Sequence, residues 1–223
     1  DNEAPTANIT STSSTHNTIT VNVTGTDTHS GVLTYYYSIN NGLYQPSNDS
    51  SYVFDNLSAG ASYNIKAYVV DTAGNTSTET TTTANTKPQG SITISSSTAG
   101  SNSWYKALTL SISGLSDANI TSLDYCITTS DTCTPNNQVL NASTTVTLTS
   151  NENAQKVCAT LTNSNGTTST LTCSNSYLVD TEGPSQTISV VSSTAGSNNW
   201  YKAISIKADG ADTHSNVASM KYC

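Results

Sequence analysis

The chain has 223 residues, of which 34% are hydrophobic and only 10% charged, and its formal net charge at pH 7 is −8. Because it contains no Arg and its seven Lys are dispersed, it has no basic stripe that could neutralise the phosphates of a nucleic acid. No apolar run approaches the ~20 residues that a membrane helix needs, so we expect neither a nucleic-acid partner nor a membrane span in this segment.

The first segment, residues 1–87, opens on the linker "DNEAP" and continues with short stretches in which apolar and polar residues alternate. "TITVNV" places Ile19, Val21 and Val23 on one face. In "YNIKAYV" the residues that share a face are Tyr63, Ile65, Ala67 and Val69. Turn signals such as "NNG" and "DTAGN" separate these stretches. Several short strands without an amphipathic helix, in a unit of about 90 residues, predict an antiparallel β-sandwich.

Two motifs of this segment resemble those of a fibronectin type III domain, and the resemblance covers about residues 4–86. "LSAGASY" (57–63) is similar to that family's turn into its sixth strand, and "YVVDTAGNTS" (68–77) to the end of this strand and the following hairpin. The resemblance implies that Tyr63 is a tyrosine corner, whose hydroxyl bonds back to nearby backbone. The Trp expected on the second strand of that family is missing here.

The second segment, residues 88–183, is repeated in the third, residues 184–223. "SSTAGSNSWYKALTLSIS" begins at Ser96, and "SSTAGSNNWYKAISIKAD" begins 96 positions later at Ser192, a period of one domain. The motifs "WYK", "DYC" and "YLVDTEGP" resemble bacterial Ig-like repeats of large surface proteins, a family that implies extracellular stalks and adhesins. We expect the third copy to be truncated and the chain to be a fragment of a longer protein.

All three segments share a loop and a strand. An Asp loop leads into an alternating strand in "DTHSGVLTYYYSI" (27–39), "DANITSLDYCI" (117–127) and "DTHSNVASMKYC" (212–223). Tyr37, Tyr125 and Tyr222 match, and each follows an apolar or aromatic residue two positions earlier. We therefore predict one all-β architecture throughout: tandem Ig-like or fibronectin type III-like antiparallel sandwiches, arranged as beads on a string.

Four cysteines of the second segment suit two disulfides. Cys158 and Cys173 flank an Asn-Gly dipeptide at 165–166, the strongest signal for a two-residue hairpin turn, whose two positions both need a positive φ. A regular hairpin about that turn places the two cysteines directly opposite each other, within reach of a disulfide. Cys126 and Cys133 suit a neighbouring hairpin with a longer loop.

The first segment is an internal control for this pairing. Ser38, Lys66 and Thr81 take the places of three of the cysteines, so the cysteines are absent together, as expected of pairs. Four cysteines still allow three pairings, and buried reduced thiols or a zinc site are the alternatives, although the spacing is poor for zinc. Disulfides would indicate an oxidising compartment. Cys223 matches Cys126, and we expect its partner outside the fragment.

Seven acidic residues are candidate calcium ligands. In this fold, the loops after the second and sixth strands lie at the end where the chain enters, so linker acids approach loop acids there. Hard cations prefer such oxygen ligands, and calcium would stiffen a junction. The alternative is that these exposed acids only keep the surface soluble. The middle linker "TKPQG" favours this alternative, because it has no acid and could not hold calcium in the same way. The candidates are Asp1, Glu3, Asp27 and Asp71 at the first linker, and Asp180, Glu182 and Asp212 at the later one.

Trp104 and Trp200 stand in matched positions before "YK". On an exposed strand edge they would stack on sugars and act as ligand contacts, whereas at a strand start a Trp more often covers the core. His16, His29 and His214 stand in polar loops without a nucleophile pattern nearby. We therefore predict no catalytic residue, no enzyme activity, and no cofactor other than calcium at the junctions.

These features together predict a non-catalytic spacer or stalk of an extracellular or cell-surface protein, which projects a functional tip. Its partners would be neighbouring repeats of the same chain and, as a second hypothesis, surface glycans or proteins. Three other functions fit the same sequence: a glycan- or partner-binding module, an accessory region of a secreted polysaccharide-active enzyme, and a fibre or decoration segment on a phage virion surface.

Overall fold

The computed structural model describes residues 1–115, 119–198 and 200–221. These ranges contain strands and turns and no helix, so the predicted all-β fold is confirmed. Accordingly, none of the described residues forms a helix that could cross a membrane. The strands form two sandwiches and a final hairpin, and all their sheet pairings stay within one of these three parts.

The first sandwich packs a three-stranded sheet, in the order β1-β2-β5, against a four-stranded sheet, in the order β4-β3-β6-β7. All neighbouring strands in both sheets are antiparallel. The strands are β1 (Thr6–Ser14), β2 (Ile19–Thr26), β3 (Val32–Ile39), β4 (Gln45–Ser47), β5 (Ser51–Phe54), β6 (Ser62–Asp71) and β7 (Thr80–Asn85).

The alternation in the sequence decides which side chains fill this sandwich. The buried apolar residues are Ile19, Val21, Val23, Tyr37, Phe54, Ile65, Ala67, Val69 and Ala84, drawn from both sheets. Burying each of the larger ones stabilises the fold by about 1.5–3 kcal/mol. Tyr63 is partly buried beside them, and its hydroxyl accepts the N–H of Ser58 at 2.8 Å, the backbone contact that the fibronectin resemblance implies.

The second sandwich repeats the arrangement. One sheet has the order β11-β10-β13-β14, and in the other β9 pairs with β8, with β12 and, in parallel, with β15. The strands are β8 (Gln89–Ala99), β9 (Trp104–Leu115), β10 (Ile120–Thr128), β11 (Asn137–Val139), β12 (Ser143–Leu148), β13 (Lys156–Asn163), β14 (Thr172–Cys173) and β15 (Leu178–Val179). Its core is formed by Leu108, Leu110, Ile112, Ile120, Leu123, Val146, Leu148, Val157, Ala159, Leu161 and Val179.

The last part is a hairpin of β16 (Ser185–Ala195) and β17 (Tyr201–Ala211), which repeats β8 and β9. A β-bulge at Val190–Ser192 matches one at Ile94–Ser96. The apolar face of this hairpin is exposed: Ile206 is 64% exposed, whereas its counterpart Leu110 is fully buried. Asp117, Tyr222 and Cys223, which belong to the predicted shared loop and strand or to the cysteine predictions, lie outside the described residues.

The turn between β13 and β14 differs from the predicted two-residue hairpin. Gly166 has a positive φ of 74°, but Asn165 is not among the residues with positive φ. The turn closes instead with a bond from Asn163 N to Thr167 O at 3.1 Å, so it contains more residues than an Asn-Gly turn. The side chain of Asn163 favours this longer loop because its oxygen accepts two of the turn's N–H groups.

The chain enters and leaves the first sandwich at opposite ends, which we call its N-terminal and C-terminal poles. At the N-terminal pole, Asn75 Nδ2 donates to Asp1 O at 3.5 Å. At the C-terminal pole, Lys87 N donates to Thr15 O, in the turn after β1, at 2.8 Å. Because β1 has nine residues and runs from one pole to the other, the two ends are roughly 30 Å apart.

Candidate functional sites

The junction between the two sandwiches is closed by direct hydrogen bonds. Asn163 is only 2% exposed and donates from Nδ2 to Gly60 O at 3.3 Å, across the junction. Its Oδ1 accepts the N–H groups of Asn165 at 3.1 Å and Thr167 at 3.0 Å, which fixes the side chain. Gly60 N in turn donates to Lys87 O at 3.1 Å. These bonds hold a turn of each sandwich and the linker together.

The linker residues at this junction are themselves buried. Thr86 is 0% exposed, its Oγ1 donates to Ser58 O at 2.7 Å, and it accepts the N–H of Ala61 at 2.9 Å. Pro88, directly after Lys87, is also buried. A buried, hydrogen-bonded linker restricts the angle between two domains more than an exposed one does.

A group of carboxylates lies at the N-terminal pole of the first sandwich. Oxygens of Asp1, Asp27 and Asp71 all lie within 4.8 Å of one another. Asp27 Oδ1 accepts the N–H of Gly31 at 2.9 Å, and it also accepts the N–H groups of His29 and Ser30. The hydrogen bond from Gly31, followed by those from His29 and Ser30, holds the pKa of Asp27 below its ordinary value.

Asp71 is the buried member of this group. Burial raises the pKa of its carboxyl, but hydrogen bonds from Asn75 and its neighbours outweigh burial, and the pKa lies below its ordinary value. Asn75 donates to Asp71 both from its backbone N, at 2.7 Å, and from Nδ2, at 2.8 Å. Both carboxylates are therefore ionised at neutral pH, and the site is strongly anionic.

A matching group lies where the second sandwich meets the final hairpin. It consists of Asp180, Asp212 and His214, whose ligand atoms lie within 4.8 Å of one another. Asp212 Oδ1 accepts the N–H of His214 at 2.9 Å and that of Ser215 at 2.8 Å, and these bonds lower its pKa. The side chain of Asp180 is only 4% exposed. The two "DTHS" loops thus have the same conformation, each beside a linker acid.

The two Glu candidates lie at the rim of these groups. Glu3 Oε2 is 3.2 Å from His29 Nδ1, and Glu182 Oε2 is 4.0 Å from His214 Nδ1. The Glu backbones are fixed in the same way, because Asp1 Oδ1 accepts the N–H of Glu3 and Asp180 Oδ1 accepts the N–H of Glu182. His214 was not predicted from the sequence as a possible ligand. The repeated motif "DTHS", at 27–30 and 212–215, was the signal that could have indicated it.

The carboxylates of Asp1, Asp27 and Asp71, from a linker and two loops, fit a hard cation, because calcium prefers oxygen donors and a cation between them would offset the repulsion of like charges. The second group fits calcium less well, since it offers two carboxylates and an imidazole nitrogen from a linker and one loop. At the junction of the two sandwiches, Asn163 stands where Asp71 stands in the first sandwich, and it donates to a carbonyl instead. Calcium at the two acidic groups stays a prediction.

The cysteines lie on the outer face of the second sandwich and not in its core. The structure joins Cys126 to Cys133 and Cys158 to Cys173, with Cα separations of 6.5 and 4.0 Å. Alternation along β10 and β13 turns Cys126 and Cys158 away from the core, yet they are only 4% and 0% exposed. The two disulfides and the loop at 129–136 therefore cover this face of the sheet.

Tyrosines cover the equivalent face of the first sandwich. Tyr36 and Tyr68 stack with ring centroids 4.7 Å apart, and Tyr44 packs edge-on against Tyr68 at the same distance. The Tyr44 hydroxyl donates to Glu79, which also pairs with Lys66 at 2.9 Å. Burial, assisted by the Glu79 carboxylate, raises the pKa of Tyr44 to about 12. An aromatic cluster thus covers the face that the disulfides cover in the second sandwich.

The two Trp residues have different surroundings. Trp104 is half-buried at the start of β9, and it lines a cleft of about 480 Å³ together with the linker 180–184 and the loop 215–219. Its neighbour Tyr105, not Trp104, packs against the core and against Tyr177, with ring centroids 5.9 Å apart. Trp200 is 77% exposed.

No protein-family model and no curated protein matches the chain. By its own sheets and cores it is a tandem β-sandwich protein. Among solved structures, it is similar to fibronectin type III-like modules of Clostridium thermocellum CbhA, with 13% identity, 78% of this chain and 95% of that chain covered, and a TM-score of 0.37. A two-domain fibronectin type III segment of chicken tenascin has 14% identity, coverage of 77% and 98%, and a TM-score of 0.39.

A third similar structure is chitinase ChiA74 from Bacillus thuringiensis, with 18% identity and a TM-score of 0.33, of which the match covers 29%. The modules from CbhA and tenascin belong to the family that the motifs of the first segment resemble. The resemblance of the second and third segments to bacterial Ig-like repeats stays a prediction.

Proposed function

We propose that the chain is a non-catalytic spacer of an extracellular or cell-surface protein, in which each sandwich adds length between an anchoring part and a functional part. The observation that carries this proposal is the placement of the chain ends at opposite poles of a sandwich, beside Asn75 at one pole and Thr15 at the other. Repetition of such a unit converts chain length into reach. The segments 1–87, 88–183 and 184–223 are the proposed units.

Two further features support a stiff, secreted spacer. The buried linker at Thr86 and the bond from Asn163 to Gly60 restrict bending between neighbouring units. Disulfides persist in oxidising compartments and are rare in the cytosol. Each of the two could stabilise the second sandwich by ~2–4 kcal/mol, which suits a protein exposed outside the cell.

The test is the length of the molecule in solution. A second copy of residues 88–183 is inserted after Gly183, and the maximum dimension is measured by small-angle X-ray scattering. We expect an increase of roughly 30–40 Å, the length of one sandwich. A control with a flexible Gly-Ser segment of equal length should give a broader distribution and a less defined increase. An inserted sandwich that folds back and adds no length would refute the spacer.

A second candidate function, glycan binding, is favoured by the cleft beside Trp104. One wall of the cleft is aromatic, and the carboxylates of Glu182 and Asp212 line it as acceptors for sugar hydroxyls. An aromatic face with convergent polar groups is the usual composition of a ligand site. We propose glycan-array screening of the intact chain, with Trp104→Ala losing binding and Trp200→Ala, the matched residue outside the cleft, keeping it. Equal loss in both variants would contradict this function.

A further inference from the structure

The cysteines of the second sandwich form a row across adjacent strands. Cys158 on β13 is the Cα partner of Cys126 on β10 and also of Cys173 on β14. Residues directly opposite each other in antiparallel strands point to the same face. We call Cys126, Cys158 and Cys173 the cysteine row; Cys133 reaches it from the loop at 129–136.

The sulfur of Cys126 also contacts the backbone of Cys158. Cys126 Sγ lies 3.6 Å from the carbonyl oxygen of Cys158. Opposite residues of an antiparallel pair have Cα atoms about 4.5–5.5 Å apart, which lies within the ~4.4–6.8 Å that disulfides span. A bond between Cys126 and Cys158 consequently fits the existing strand pairing.

Cys173 contacts the loop that carries the remaining cysteine, Cys133. Cys173 Sγ is 3.6 Å from the carbonyl oxygen of Asp131, two residues before Cys133. The side chain of Asp131 pairs with Lys156, so the loop is held against β13. A bond between Cys133 and Cys173 therefore requires a rearrangement of the loop alone, with the sheet unchanged.

We propose that the cysteine row is a site of thiol–disulfide exchange. In the folded sandwich, the pairs Cys126–Cys133 and Cys158–Cys173 interconvert with the pairs Cys126–Cys158 and Cys133–Cys173. The exchange moves the covalent constraint from two short segments, with separations of 7 and 15 residues, to the central strands β10 and β13, whose cysteines are 32 residues apart. This activity goes beyond the spacer role and needs no residue of the acidic groups.

A low-molecular-weight thiol starts the exchange and is regenerated by it. Its thiolate attacks Sγ of Cys133, forms a mixed disulfide there, and displaces Cys126 as a thiolate. Cys126 attacks Sγ of Cys158 and displaces Cys173. Cys173 attacks Sγ of Cys133 and releases the small thiolate. Three S–S bonds form and three break, so there is no net oxidation or reduction.

Trypsin distinguishes the two pairings, because the chain has no Arg and Lys156 separates the two cysteine pairs. Digestion gives one peptide, 107–156, with Cys126 and Cys133, and another, 157–202, with Cys158 and Cys173. The pairing of the structure leaves these two peptides unlinked. The exchanged pairing joins them covalently.

The experiment uses the folded chain with Cys223→Ser, which removes the fifth cysteine. It is incubated with a small amount of glutathione at mildly alkaline pH, quenched with acid, digested without reduction, and analysed by mass spectrometry. We expect the linked peptides to be absent at the start and to accumulate with time. If the peptides stay unlinked in the folded protein and become linked only in urea, the proposal is overturned. Linked peptides before any thiol is added would instead show that the pairing in the structure, on which the proposal depends, is wrong.

A variant isolates the central step. Cys133→Ser leaves Cys126 as a free thiol beside the Cys158–Cys173 bond, so we expect Cys126–Cys158 to form and the Cys173 thiol to become reactive to iodoacetamide. The matched control, Cys133→Ser with Cys126→Ser, has no attacking thiol and should keep Cys173 unreactive. Circular dichroism verifies that both variants are folded. Labelling of Cys126 alone in the single variant would refute the step.

Discussion

Asp71 and Asn163 occupy the same place in the two sandwiches, at the last residue of β6 and of β13, yet they have different neighbours. Both accept backbone N–H groups of the turn that follows. Asp71 faces the carboxylates of Asp1 and Asp27, whereas Asn163 faces the carbonyl of Gly60. Of these two side chains, only the amide of Asn163 can donate to a carbonyl, because an ionised carboxylate has no proton to donate. The choice between Asp and Asn at this position therefore determines whether a pole is anionic or bonded to its neighbour.

Asn163→Asp should loosen the junction of the two sandwiches. The change removes the donor to Gly60 and places a buried charge beside a carbonyl oxygen, so we expect a loss of about 1–3 kcal/mol in the free energy of unfolding. Urea denaturation measures the loss, and NMR relaxation measures the coupling of the two sandwiches. The control is Asn165→Asp, which makes the same charge change at an exposed position. Equal effects of the two variants would contradict the role given to Asn163.

The lowered pKa values of Asp27, Asp71 and Asp212 predict sensitivity to acid. A carboxyl whose pKa is lower in the folded than in the unfolded state contributes stability above its unfolded pKa, and this contribution is lost as the pH falls through the folded pKa. We therefore expect the melting temperature to be level near neutral pH and to fall below about pH 4. Calorimetry at a series of pH values, from neutral to below about pH 4, measures this dependence of the melting temperature. Asp27→Asn should melt lower at pH 7 and depend less on pH; an unchanged profile would contradict the assignment.

Tyr105 and Trp104 are adjacent but contribute differently to the core. Because Tyr105 packs against the core and Tyr177, Tyr105→Ala should cost about 2–3 kcal/mol, somewhat less than the ~3–5 kcal/mol for a fully buried aromatic residue. Trp104→Ala should cost less, since Trp104 lines an open cleft. Thermal unfolding of both variants shows which substitution costs more stability. A larger loss of stability for Trp104→Ala would contradict the assignment of Tyr105 as the core residue.

At the level of loops and strands, the first acidic group joins a linker to the ends of β2 and β6, and the second joins a linker to the loop after β17. A ligand at either group would therefore join separate elements. Calcium should raise the melting temperature, and a chelator should reverse the rise. Asp212→Asn should reduce the calcium effect at the second group, whereas Asp209→Asn removes an exposed acid outside it and should not. Calorimetric titration with calcium chloride tests this, and an absence of heat and of any thermal shift would show that the acids only provide surface charge.

The sequence predicted those features that depend on local periodicity. Alternation identified the buried residues of β2 and β6, and spacing brought Cys158 opposite Cys173. It did not predict that the cysteines lie on the outer face, because period-2 alternation separates two faces without saying which of them a second sheet covers. The turn at Asn163 was predicted with the wrong length, since the two-residue rule takes no account of a side chain that bonds to the turn's own backbone.

The contact between Asn163 and Gly60 was beyond sequence reasoning for another reason. It joins residues that are 103 positions apart in two separate sandwiches. No spacing within either unit encodes such a contact, because it depends on the angle at which the linker sets one sandwich on the other. The acidic groups were easier to anticipate, since topology alone places the linker beside the loops after the second and sixth strands.

At the level of the whole molecule, the two kinds of junction predict unequal stiffness along the chain. The hydrogen bonds described at the junction near Lys87 involve no titratable side chain, whereas the junction near Asp180 contains the carboxyl of Asp212, whose pKa is held below its ordinary value by hydrogen bonds from His214 and Ser215. Lowering the pH to about 2, where carboxyls become protonated, should therefore loosen the second junction first. Small-angle scattering of the whole chain at neutral and at this acid pH is the measurement, and a uniform change along the chain would argue against two kinds of junction.

Among the described residues, every sheet pairing is confined to one sandwich or to the final hairpin. The first sandwich can consequently complete its sheets with residues that have already emerged, without waiting for later parts of the chain. Because a chain emerges from the ribosome N-terminus first, the units would form one after another. At any moment only one unfinished sheet would then expose its edge strands, which limits the pairing of unfinished sheets with one another.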